Sequence, residues 1–102
     1  MSYKQVEFLV KQWGADRKIT TNGTAMGQAI KTAEEANELL AAINKGSEAE
    51  AMDAIGDIWV TLVMVAEIMG VDLTYCFHLA YNEIKDRKGT LGADGIFYKE
   101  QS

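Results

Sequence analysis

The chain of 102 residues contains no proline, and its nine glycines fall mostly between segments. Proline breaks helices more strongly than any other residue, so its absence leaves glycine to punctuate long, uninterrupted helical stretches. The spacing of apolar residues agrees and predicts an all-α fold. Val6, Phe8, Leu9, Val10 and Trp13 fall at helical spacing from Tyr3 to about Trp13, with Gly14 as the stop. Ala15 to Thr24 is polar and rich in turn-forming residues and reads as a loop. A second helix runs from about Ala25 to Lys45, with Ile30, Ala33, Leu40 and Ile43 as its apolar stripe and Gly46 as its end.

Ser47 followed three residues later by Glu50 is a capping-box pattern that starts a third helix, about Glu48 to Met69. Its middle, Ile55 to Ala66, is apolar on nearly every side, as expected of the central helix of a bundle. Gly70 closes it and Asp72 can cap a fourth helix, whose buried side is marked by Leu73, Phe77, Ala80, Tyr81 and Ile84 and which ends near Gly89. Thr90 to Ser102 carries turn-type residues and then Ile96, Phe97 and Tyr98, an extended tail suited to docking across a neighbour. The architecture expected is a four-helix-type bundle in a single domain, residues 1–102. A chain this short cannot by itself cover a helix that is apolar all round, so an obligate homodimer or homotetramer is expected.

Composition excludes several classes. Hydrophobic residues at 48% and charged residues at 25% are those of a globular domain. The formal net charge of -5 is the wrong sign for a duplex nucleic-acid binder. A single cysteine, Cys76, allows no internal disulfide, and Met1 to Lys11 is too short and too charged in its apolar stretch for a secretion signal. The richest apolar stretch, Ile58 to Met69, contains Glu67 and falls short of the ~20 residues of a membrane span. The expected location is a reducing cytoplasm, with no membrane partner.

The chemistry resides in the acidic helices. Glu34, Glu35 and Glu38 crowd one surface of the second helix, which taken alone is also what a solvated acidic face looks like. Asp53 and Asp57 lie one turn apart within the most apolar helix, on a surface shared with Val60, Thr61 and Met64. Burying two like charges a turn apart calls for a cation or a shared proton, and carboxylates are the hard oxygen ligands that Mg²⁺ prefers. The helix dipole accounts for Asp53 near the helix start but not for Asp57. Asn82, Lys85, Arg87 and Lys88 near the end of the fourth helix suit phosphate binding, although cations there also complement the dipole. His78 shares a face with Asn82 and Lys85, but a lone histidine is more often structural.

Glu35-x-x-Glu38, then Asp53-Ala-Ile-Gly-Asp57, then Ala80-Tyr-Asn-Glu-Ile-Lys-Asp-Arg-Lys-Gly89 resemble, in order and spacing, the MazG-like nucleotide pyrophosphohydrolases, most closely the small bacteriophage versions. The resemblance covers nearly the whole chain, from Gln12-Trp-Gly-Ala-Asp16 to Asp94-Gly-Ile-Phe-Tyr-Lys-Glu100. It implies an all-α dimer or dimer of dimers that cleaves nucleoside triphosphates to monophosphate and pyrophosphate with Mg²⁺, for which Mn²⁺ can substitute. It also implies metal ligation by Glu35, Glu38 and Asp57. The family's second motif in many relatives is Glu-x-x-Asp, and its glutamate position falls on Ala54 here; the adjacent Asp53 could take over, while Glu50-x-x-Asp53 matches the literal pattern in a shifted register. Glu34 or Glu35 would position the attacking water, and Asn82, Lys85, Arg87 and Lys88 would bind the substrate's phosphates. Trp13, Trp59 and Tyr81 are the aromatic candidates for stacking on the base.

The competing reading is a non-catalytic helical module that binds nucleotides or oligomerises, for which Ala54 is the best support. A di-iron bundle is disfavoured because it requires Glu-x-x-His pairs, and His78 is the only histidine.

Overall fold

The computed structural model describes residues 1–100; Gln101 and Ser102, at the end of the expected tail, lie outside the described residues. The elements in order are α1 (Tyr3–Asp16), α2 (Ile19–Asn22), α3 (Ala25–Lys45), α4 (Glu48–Met69), α5 (Leu73–Ile84), β1 (Gly89–Leu91) and β2 (Phe97–Lys99). The chain is mostly helical, as expected from its lack of proline.

Side-chain caps set the starts of the four long helices. Ser2, Thr24, Ser47 and Asp72 each accept a hydrogen bond from a backbone N–H of the first turn. The capping box expected at Ser47 forms only in half. Ser47 Oγ accepts from the Glu50 N–H, but the Glu50 carboxylate pairs with Lys45 at 2.9 Å, and the Ser47 N–H is already taken by the Ala42 carbonyl. A complete box forms instead between Ser2 and Gln5. Gly46 and Gly70, at φ 78° and 71°, end α3 and α4 in the left-handed conformation that glycine adopts without steric cost.

Three features of the element order differ from expectation. The first helix does not stop at Gly14 but continues to Asp16; Gly14 is buried against α4, and its lack of a side chain allows that approach, since a Cβ there would lie 2.7 Å from Met64 Cε. The segment expected to be a loop contains the single turn α2, which packs on both α1 and α4. α5 ends at Ile84, short of Gly89, in a turn closed by the Arg87 N–H on the Ile84 carbonyl. The residues beyond it are committed to an antiparallel hairpin, in register Gly89 with Lys99 and Leu91 with Phe97.

α4 is the central element and touches α1, α2, α3 and α5. Its interface with α3 is the most extensive in the chain, with Thr32 and Thr61 hydroxyls hydrogen-bonded across it at 2.8 Å. Val63 and Met64 are its most deeply buried side chains. One flank stays open, since Met52, Ile55 and Met69 are exposed. α5 is further from expectation: Leu73 is half-buried, whereas Phe77, Ala80, Tyr81 and Ile84, expected inside, are exposed. Among the described residues α5 packs chiefly on α4 and meets α1 through a hydrogen bond from Lys4 Nζ to Thr74 Oγ1 at 2.9 Å, and the hairpin packs against no helix.

Candidate functional site

The acidic site lies where α3 meets α4. Glu35 is half-buried on α3, and its Oε2 has neither solvent nor a hydrogen-bond partner among the described residues. Its carboxyl is pushed above the usual value, first by the hydrogen-bonding proximity of Glu38, then by burial, and then by the negative charges of Glu38 and Asp57, with Lys31 opposing. Glu35, Glu38 and Asp57 thus form one electrostatic neighbourhood, assembled from two helices. Glu34 sits apart: exposed, it is held by Lys31 at 3.1 Å.

Asp53 and Asp57 separate in role. Asp57 is half-buried and faces two adjoining cavities between α1 and α4, of about 470 and 450 Å³. Asp53 is exposed, bordering the first of these and also a cleft that contains Glu38. It therefore stands between the α3 carboxylates and the α1 side of α4. Ala54, where the resembled family carries glutamate, is 3% exposed and lies two turns from Thr61 on the side of α4 that faces α3.

The oxygen-only donor set of Glu35, Glu38, Asp53 and Asp57 matches the ligand chemistry of Mg²⁺, and the orphaned Glu35 oxygen is an acceptor that a cation would satisfy. Among the described residues no three of these side chains converge closely enough to form a ready-made metal cage. Closure around an ion needs side-chain movement.

The basic group is elsewhere. Asn82, Arg87 and Lys88 line an open cleft of about 610 Å³ together with Lys99 of β2 and the carboxylates of Glu83, Asp86 and Glu100, and Arg87 pairs with Glu83 at 3.6 Å. Lys85, expected with them, caps the end of α5 and is not part of that cleft. No described cavity, hydrogen bond or ion pair joins these cations to the α3 and α4 carboxylates within one chain. Of the aromatic candidates, Trp13 lies under the Arg17 guanidinium at 4.7 Å, Trp59 meets Tyr3 and Phe77 edge to face, and Tyr81 is exposed. His78 stacks on Tyr75.

Sequence reasoning missed Glu7. It is buried on α1, its Oε1 paired with Lys11 at 3.2 Å, and Lys11 also reaches Glu67 of α4 at 3.4 Å. Glu7 and Lys11, four residues apart, read in sequence as an ordinary surface pair. Only the approach of α4 buries the glutamate.

The family model for phosphoribosyl-ATP pyrophosphohydrolase matches residues 14–83, more than half of the chain, and takes in α3, α4 and all four candidate metal ligands. The chain belongs to this family. That supports the all-α pyrophosphohydrolase superfamily that the MazG-like resemblance implied. Lys85, Arg87, Lys88 and the hairpin lie beyond the matched residues, and Tyr3 and Glu7 precede them. The chain is also similar to an uncharacterized 18.2 kDa protein in the rep-hol intergenic region of Haemophilus phage HP1 (strain HP1c1). The two are 33% identical over 63 residues, which is 62% of this chain and 39% of the phage protein. The match thus spans about two fifths of that relative's length. No solved structure matches. No single helix is long and apolar enough to cross a membrane.

Proposed function

We propose that this protein is a Mg²⁺-dependent nucleoside triphosphate pyrophosphohydrolase of MazG-like type, acting as a homodimer or homotetramer in a reducing cytoplasm. The observation that carries this reading is Glu35. A half-buried carboxylate with an unpartnered oxygen, crowded by Glu38 and Asp57 inside the family-matched segment, is poorly suited to support the fold alone and well suited to ligate a cation. Glu35, Glu38 and Asp57 would hold the metal, with Asp53 completing the set in place of the glutamate that Ala54 replaces.

Mg²⁺ bound there supplies neutralisation of the triphosphate and a more acidic water. The chain's own groups do the rest. Glu34 or Glu35 orients the water towards the α-phosphorus as general base, and Asn82, Lys85, Arg87 and Lys88 offset charge on the departing pyrophosphate. The separation of the two groups within one chain favours cations donated by a second copy. Mn²⁺ is expected to replace Mg²⁺.

The family name supports a second reading, in which phosphoribosyl-ATP is the substrate. The buried Ala54 supports a third, a non-catalytic nucleotide-binding module. Incubation of the protein and Mg²⁺ with phosphoribosyl-ATP and a panel of triphosphates separates all three. Pyrophosphate and a nucleoside monophosphate should be the first products from the triphosphates, and Glu38→Gln should lower kcat by orders of magnitude without loss of fold. Nucleoside diphosphate plus phosphate would refute the reaction. Turnover of phosphoribosyl-ATP alone would establish the second reading, and binding without turnover the third.

A further inference from the structure

Glu38 and Asp53 border a cleft of about 340 Å³ where the end of α3 meets the start of α4, within the size range of small-ligand sites. Ala41 and Ala42 also line it, and Lys45 and Glu50 complete it. Lys45 is the one cation among these residues, set against three carboxylates. It stands seven residues after Glu38, two helical turns on, so both project from the same face of α3. The ammonium is drawn across the turn to Glu50, 2.9 Å from each carboxylate oxygen, and holds that carboxyl below its usual range. The pair is open to solvent, with side chains 66% and 54% exposed, and an exposed ion pair contributes little to stability. The backbone around it is fixed: Gly46 closes α3, and the Ser47 N–H donates to the Ala42 carbonyl at 3.0 Å. The ammonium can therefore change partner without moving either helix. The cations of α5 and β2 share no described cavity with the α3 and α4 carboxylates of their own chain; Lys45 does.

We infer that Lys45 binds the outer phosphates of the substrate by exchanging Glu50 for them, and that Glu50 is the competitor that holds the ammonium until they arrive. The inference rests on the proposed function for its substrate class, and adds a phosphate-binding residue supplied by the same chain as the candidate metal ligands. Lysine suits an exchange of partners, because a flexible four-carbon stem carries a compact charge with three rotatable donors. Glu50 offers that charge one negative charge, whereas a terminal phosphate offers up to about two and three strong acceptor oxygens. The phosphate is the better partner. Glu38, Glu50 and Asp53 repel a free polyphosphate, so it reaches Lys45 only when Mg²⁺ offsets the carboxylates. Removing Lys45 and removing Glu50 should then act on phosphate affinity in opposite directions. A pair that merely braced the α3–α4 turn would give two losses of stability and no change in affinity.

Calorimetric titration of the full chain with inorganic tripolyphosphate in the presence of Mg²⁺ reads this contact without requiring turnover. Lys45→Met should weaken binding about tenfold or more, and Lys45→Arg, which keeps the cation, should restore most of it. Glu50→Gln should tighten binding about threefold or more. Combining Lys45→Met with Glu50→Gln should abolish that gain, since it depends on a freed ammonium and not on the lost negative charge alone. With nucleoside triphosphates, Lys45→Met should raise KM by about tenfold and change kcat by less than about threefold. Wild-type affinity in Lys45→Met, weaker binding in Glu50→Gln, or a Glu50→Gln gain that persists without Lys45 would each overturn the inference. So would a wild-type protein that binds no tripolyphosphate at millimolar concentration with Mg²⁺. Lys45-dependent binding without hydrolysis of any triphosphate would remove the proposed reaction and leave the phosphate contact; hydrolysis with a KM indifferent to Lys45 would do the reverse.

Discussion

Glu7 and Glu35 are both carboxylates with an unpartnered oxygen, yet they are perturbed in opposite directions. Glu7 is held below its ordinary value of 4.5, so its ionised form favours the fold. That contribution is complete above pH 4.5 and is lost as pH falls through the lowered folded value. Glu7→Ala should destabilise by about 1–3 kcal/mol at pH 7 and flatten the acid limb of a plot of Tm against pH. Glu35 is held above the same ordinary value, so in metal-free protein its charge opposes the fold, and stability is regained as pH falls through the raised value. Glu35→Gln should therefore raise the metal-free Tm at neutral pH while lowering turnover by orders of magnitude. A lower Tm in that variant would mean that Glu35 is held by a favourable contact and would weaken its assignment as a metal ligand.

At the scale of elements, α1 is fastened to α4 by close approach as well as by charge. Glycine in a helix interior usually costs stability relative to alanine, by about 0.5–1 kcal/mol. Gly14 should reverse that rule, because an alanine Cβ would press on the Met64 thioether, which is buried and has little room to move. Gly14→Ala should lower stability in urea by about 1–3 kcal/mol, the usual cost of overpacking, and Met64→Val should restore part of it. If Gly14→Ala were stabilising, the helices would not be as close as described.

The whole molecule is less compact than its length predicts. Its radius of gyration is 16.1 Å, against about 13 Å for a compact domain of 100 residues. The excess comes from α5 and the hairpin, which leave Tyr75, Phe77, Leu79, Tyr81, Leu91 and Phe97 exposed. An isolated two-stranded hairpin is marginal in water, and this one packs on no helix. A second copy covering α5 answers both features and would bring another set of cations into the assembly. Light scattering should therefore give at least a dimer at micromolar concentration, and Phe77→Asp, at a position 68% exposed in the single chain, should shift it towards monomer. A wild-type monomer would sink this reading.

The sequence alone determined whatever depends on neighbours along the chain. The lack of proline, the closing glycines and the helical spacing of apolar residues fixed the bounds of α3 and α4, because capping and periodicity are local. The same spacing brought Glu35, Glu38, Asp53 and Asp57 forward as candidates. The tertiary structure decided what depends on approach between elements: the continuation of α1 through Gly14, the turn α2, and the burial of Glu7 beneath α4. It also decided that Asp57, which faces the cavities along α1, still lies in the electrostatic neighbourhood of Glu35, while Asp53 borders both the first of those cavities and the Glu38 cleft. Finally, it left the face of α5 uncovered. Apolar periodicity states that a face must be buried, but not whether its own chain or another one buries it.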